Sequence, residues 1–120
     1  MPSLEGKRIL VLEDEPLVAM LLEEMLLDFG CEVIGPAYSI AQAVPLALEQ
    51  PLDAAVLDVN VNGEMSHSVA AILHSRGVPF VFATGYGSAA GAADSATAPV
   101  LRKPYPAEKL AAILTQLLGL

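Results

Sequence analysis

The 120-residue chain has one cysteine, six lysines and arginines, and no apolar run approaching the length needed to cross a bilayer. Each shortage excludes something. Cys31 has no second cysteine with which to form an intramolecular disulfide or a thiolate metal site, which fits a reducing compartment. Six basic side chains against fourteen acidic ones leave a net charge of -8, a poor match for a phosphate backbone, so nucleic-acid binding is disfavoured. The opening Met-Pro-Ser-Leu-Glu lacks the basic segment and apolar stretch of a signal peptide, so a soluble cytoplasmic protein without membrane attachment is expected.

Hydrophobic residues are abundant at 54%, enough for one packed core, and the length suits a single domain over residues 1–120. The acid is unevenly spread: residues 1–60 hold two basic and eleven acidic side chains (-9), residues 61–120 four and three (+1).

Short apolar runs alternate with helical patterns. Lys7 to Leu12 reads as a strand closed by Glu13, Asp14 and Glu15. From Pro16, the positions Val18, Leu21, Leu22, Met25 and Phe29 recur at helical spacing, with Glu23, Glu24 and Asp28 opposite and Gly30 as a stop. A second strand follows at Glu32 to Ala37. Ser39 can cap a helix carrying Ile40, Val44 and Leu48, which Pro45 should kink or shorten. Ala54 to Leu57 is a third strand, closed by Asp58 and followed by the polar turn Asn60 to Glu64. A helix over Ser66 to Ser75, a strand from Pro79 to Thr84, a strand at Val100 to Arg102 and a last helix bearing Leu110, Ile113, Leu114, Leu117 and Leu118 complete the pattern.

Five apolar strands joined mostly by helices predict an α/β fold, a doubly wound parallel sheet of flavodoxin-like order 2-1-3-4-5. The helix of the fourth crossover should be short, frayed or absent. Its fifteen residues from Gly85 to Pro99 hold six alanines and three glycines but no Leu, Ile, Val or Phe.

In such a sheet the ligand site lies beyond the carboxyl ends of the strands, where the winding reverses. There the pattern gathers Glu13, Asp14, Asp58, Thr84 and Lys103. Carboxylates crowded together repel, which either protonation or a hard divalent cation with oxygen ligands relieves, and magnesium is the expected occupant. An oxygen nucleophile, a metal, a fixed cation and a hydroxyl donor make the set that phosphoryl transfer requires. His67 and His74 lie on one helix with no third ligand nearby and carry no metal-site reading.

The motifs Val11-Leu12-Glu13-Asp14-Glu15, Val56-Leu57-Asp58-Val59-Asn60, Ala83-Thr84-Gly85 and Arg102-Lys103-Pro104, in order and at successive strand ends, resemble a response-regulator receiver domain of two-component signalling. The resemblance implies that Asp58 accepts a phosphoryl group from a histidine kinase or histidine phosphotransferase. It implies that Asp14, Asp58 and the backbone carbonyl of Asn60 ligate Mg2+, with Glu13 assisting through water. Thr84 would turn its hydroxyl to the phosphoryl group, and Lys103 would pair with it beside a cis bond to Pro104. The octapeptide Pro79-Phe80-Val81-Phe82-Ala83-Thr84-Gly85-Tyr86 is similar to the "FAT GUY" group of receivers, often stand-alone and with a reduced fourth helix.

Asn62 stands where that turn commonly has proline, and Val100 where a switch aromatic is common, so Tyr86 is the candidate substitute. With no output domain in the chain, the signal is expected to pass by protein contact, to a downstream partner that the sequence does not name. The alternatives are a phosphate sink, a receiver piece of a hybrid kinase, and a magnesium-dependent aspartyl phosphohydrolase. Against the last, Asn60 stands where common aspartyl phosphatases place a second Asp.

Overall fold

A computed structural model describes residues 3–85 and 99–120. The elements in chain order are β1 (Arg8–Leu12), α1 (Pro16–Asp28), β2 (Glu32–Ala37), α2 (Ile40–Glu49), β3 (Ala54–Asp58), β4 (Asn60–Val61), β5 (Glu64–Met65), α3 (His67–Ser75), β6 (Phe80–Thr84), β7 (Val100–Arg102) and α4 (Ala107–Leu117). The fourth crossover, where a reduced helix was expected, lies outside the described residues, as does Tyr86.

Five strands form one parallel sheet in the order β2-β1-β3-β6-β7, the flavodoxin-like 2-1-3-4-5 winding. β3 and β6 are buried along their whole length, because helices cover both faces of the sheet. Strand alternation then divides the core. Leu10, Leu12, Ala55, Leu57, Phe80 and Phe82 face α2 and α3, while Ile9, Val11, Ala54, Val56, Val81 and Ala83 face α1 and α4. No described helix is long and apolar enough to cross a membrane.

Three local expectations are corrected. α2 runs through Pro45 for ten residues, capped by Ser39 Oγ on the Gln42 N–H at 3.1 Å. Pro45 is exposed on that helix, whose inward positions are Ile40, Ala43 and Ala47, while Leu48 faces out. Small alanines at those positions bring α2 close to the sheet. On α1 the buried residues are Ala19, Leu22 and Leu26, and Leu21, expected inside, is 49% exposed. The polar turn after Asp58 is a two-stranded hairpin, β4 against β5, with Asn62 (φ 55) and Gly63 (φ 84) at its tip. Both tip residues lie in the left-handed region that a type I′ turn demands, and an Asn-Gly pair meets that demand at low cost.

β2 carries one extra residue against β1, since Leu10 pairs with Ile34 but Leu12 with Ala37. Gly35 makes this irregularity with φ 103, and a Cβ there would sit 2.7 Å from the Ala37 backbone nitrogen. Gly35→Ala is therefore expected to lower stability by about 2 kcal/mol or more, from left-handed strain and a backbone clash, seen as an earlier urea midpoint with an unchanged slope.

Candidate functional site

The sheet order decides which side chains meet. β1 and β3 are adjacent, so their carboxyl ends bring Glu13 and Asp14 beside Asp58. One carboxylate oxygen from each of the three lies within 4.8 Å of the others. β6 pairs with β3 and β7 with β6, and the Lys103 N–H donates to the Thr84 carbonyl at 2.8 Å, which sets Thr84 and Lys103 on the far side of Asp58. Glu13, Asp58 and Thr84 are buried, and Asp14 is half-buried at the mouth. The Lys103–Pro104 peptide is cis, as expected.

Lys103 is the cation of the cluster. Its Nζ lies 2.5 Å from Glu13 Oε1 and 3.5 Å from Asp58 Oδ2. The other Glu13 oxygen accepts the Glu15 N–H at 3.1 Å, so both are engaged within the chain. Asp14 Oδ2 accepts the Asn62 N–H at 2.8 Å, and Asn60 Oδ1 closes the hairpin by accepting the Gly63 N–H at 2.9 Å.

These contacts set the acidities. Burial, with the Glu13 charge added and Lys103 opposing, pushes the Asp58 carboxyl up to about 7. Asp14 sits below the ordinary carboxylate range; partial burial pulls it upward, but the Asn62 N–H and hydrogen bonds with Glu13 and Asp58 outweigh that. Burial lowers Lys103, yet its bond to Glu13 and the Asp58 charge hold it above the usual lysine value. Tyr105 is pushed up to about 12 by burial and by the charges of Glu13 and Asp58.

The site opens into a cleft of about 690 Å³ whose walls include Val18, Leu21, Leu22 and Met25 of α1 and Tyr105. Tyr105 was missed from sequence, because nothing in Pro104-Tyr105-Pro106 tells that the ring lies against the site. Asn62 was noted only as a departure from proline, although the Asn-Gly dipeptide is itself a hairpin signal. The donor set suits a divalent cation. Three carboxylates gathered around one lysine leave excess negative charge, and all the offered atoms are hard oxygens.

The family model for the response regulator receiver domain matches residues 9–115, and the chain belongs to that family. Among curated proteins, the phyllosphere-induced regulator PhyR of Methylorubrum extorquens is 32% identical over 114 residues, covering 92% of this chain and 43% of its own. The chain thus spans less than half the length of that relative. Among solved structures, SdrG from Sphingomonas melonis Fr1 is 40% identical with a TM-score of 0.81, covering 94% of this chain and 97% of its own. The receiver domain of the Pseudomonas aeruginosa sensor histidine kinase PA1611 is 27% identical with a TM-score of 0.83, covering 96% and 99%. That structure has a magnesium ion coordinated in its active site cleft.

The raised Asp58 carboxyl has a consequence for stability without divalent cations. Its unfolded value is near 3.8 and its folded value about 7, so the folded state binds a proton that the unfolded chain has released. The stability this contributes is full below about pH 4 and is lost as pH rises through about 7. In chelator-treated buffer the thermal midpoint of the wild type should fall between about pH 5 and about pH 8, and Asp58→Asn should lose most of that dependence. A wild-type midpoint that rises over the same window would contradict the crowding of these carboxylates.

Proposed function

We propose that this receiver takes a phosphoryl group onto Asp58 from the phosphohistidine of a histidine kinase or histidine phosphotransferase, and signals through protein contacts. The observation that carries the reading is the position of Asp58: a buried carboxylate with its Oδ2 3.5 Å from the Lys103 ammonium, at the end of an open cleft.

An Asp58 oxygen attacks phosphorus as the bond to the donor nitrogen breaks, and the bond pair returns to the imidazole ring. Lys103 trades its contact with Glu13 for a phosphoryl oxygen, and the Thr84 hydroxyl turns toward the same group. Asp14, Asp58 and the Asn60 carbonyl would hold Mg2+, with Glu13 reached through water, and the ion would neutralise charge gathering on the phosphoryl oxygens. Thr84 ends β6 and Lys103 directly follows β7, so their rearrangement reaches the surface made by β7 and the start of α4. Val100 on β7 is 36% exposed there and offers no ring to follow Thr84. The chain thus acts as a signalling switch and not as an enzyme turning over a separate substrate.

α1 supports a protein as the donor. Leu17, Met20, Leu21 and Leu27 are 66%, 46%, 49% and 55% exposed, a stripe that no element among the described residues covers. Leu21 also lines the cleft that ends at Asp58, so a helix laid along α1 brings its phosphohistidine to the mouth of the site.

Incubation with acetyl phosphate and Mg2+ followed by intact-mass measurement tests the reading. One phosphoryl adduct is expected on the wild type, with none on Asp58→Asn and none after chelation. An adduct of equal yield on Asp58→Asn would sink the assignment. Leu21→Glu should leave the acetyl phosphate reaction unchanged while slowing transfer from a phosphorylated donor protein by about tenfold, as expected for an interface residue lost from its centre.

A further inference from the structure

Asn62 has a role in the site that its place in a turn does not require. It is the one described non-glycine residue with positive φ, at 55°, and two of its groups reach two different loops. Its backbone N–H donates to Asp14 Oδ2 at 2.8 Å, and its side-chain Nδ2 donates to the Tyr38 carbonyl at 3.2 Å. Tyr38 in turn leads into α2. Its N–H donates to Gln42 Oε1 at 2.8 Å, and the Gln42 N–H donates to Ser39 Oγ at 3.1 Å. Four hydrogen bonds, linked through the covalent frames of Asn62, Tyr38 and Gln42, therefore join a carboxylate of the acidic cluster to the capped N-terminus of α2.

We propose that Asn62 is a positioning residue for the cation site, holding the Asp14 carboxylate through its N–H and passing the occupancy of that site to the Tyr38 segment through Nδ2. The inference rests on the phosphoacceptor reading and deepens it. Groups that hydrogen-bond to a ligand orient it and tune what it binds. With Oδ2 held by an amide, the carboxylate plane is fixed and its remaining lone pairs are left for the cluster. A carboxylate that shares its charge with a cation is a poorer acceptor, so occupancy loosens the Asn62 N–H bond and shifts the hairpin tip. The bond to Tyr38 is the longer of the two and yields with it.

The residue type fits all three demands. Proline has no N–H and cannot adopt φ 55, glycine adopts it but has no Nδ2, and aspartate would add a fourth carboxylate to the cluster. Tyr38 is 41% exposed, so what reaches it reaches the surface on the α2 side of the molecule, remote in the sheet order from β7.

The test is a Mg2+ titration followed by amide proton–nitrogen spectra of wild type and Asn62→Gly. Glycine keeps the N–H and the positive φ, so the hairpin is retained and only the Tyr38 tie is removed. The Ser39 amide shares its peptide unit with the Tyr38 carbonyl and reports that bond directly. In the wild type, Ser39 should shift together with Glu13, Asp58 and Lys103 and with the same dissociation constant. In Asn62→Gly, the three cluster amides should still shift while the Ser39 shift is lost. A Ser39 amide that stays silent in the wild type, or shifts equally in Asn62→Gly, overturns the coupling and leaves the phosphoacceptor reading standing. Cluster amides that do not respond to Mg2+ in either protein overturn both.

Discussion

Two adjacent parallel strands that both end in carboxylates create the constraint on which the rest depends. β1 ends at Leu12 and runs on into Glu13 and Asp14, while β3 ends at Asp58, and the pairing of Leu12 with Leu57 fixes them side by side. Two unit charges no more than 4.8 Å apart repel by about 3 kcal/mol or more at an effective dielectric of about 20, before further screening at the open side of the site. One lysine cannot cancel three such charges. The chain meets the excess by pairing Glu13 with Lys103, by holding Asp14 with the Asn62 N–H, and by raising Asp58 until a proton binds it near neutral pH. Each device leaves a group that answers to a new charge in the cleft, so the instability of the site and its responsiveness have one physical origin.

Lys103 shows how sharply that balance is drawn. Its ammonium sits 1.0 Å closer to Glu13 than to Asp58, by the difference of 2.5 and 3.5 Å, so Glu13 has the stronger hold. A phosphoryl group on Asp58 would add close to two negative charges on that side and reverse the preference. The lysine follows β7 directly, and its N–H is bonded to the Thr84 carbonyl. A change of partner at Nζ would therefore pull on the joint between the last two strands of the sheet.

Most of this was legible because strand ends are written locally. Four strands stop at Leu12, Asp58, Thr84 and Arg102, and in each case the apolar run gives way abruptly to polar residues, so the topology alone carries Glu13, Asp14, Asp58, Thr84 and Lys103 into one cleft. What escaped was set by contacts between loops. α1 is apolar nearly all round, so its spacing could not tell Leu21 from Leu22, and only the neighbouring sheet decides that Ala19, Leu22 and Leu26 are the inward set. Pro45 reads as a break until its exposed position and the alanines on the opposite face are seen. The Asn62 bonds to Asp14 and Tyr38 join residues 48 and 24 positions apart, a distance over which periodicity has nothing to say.

On the phosphoacceptor reading proposed above, the same geometry offers an alternative to an aromatic at Val100. A switch that reads a phosphoryl group needs an element whose position depends on the local charge, and a buried ring behind Thr84 is one way to supply it. Here two other elements already depend on it: Lys103, divided between Glu13 and Asp58, and Asn62, bonded to Asp14. They leave the site in opposite directions, the first through β7 toward α4 and the second through the hairpin toward α2. Both are held by charge-assisted bonds, which weaken as soon as their acceptors share charge with a cation or lose the lysine to a phosphate. The route a partner reads is then decided by which surface it covers.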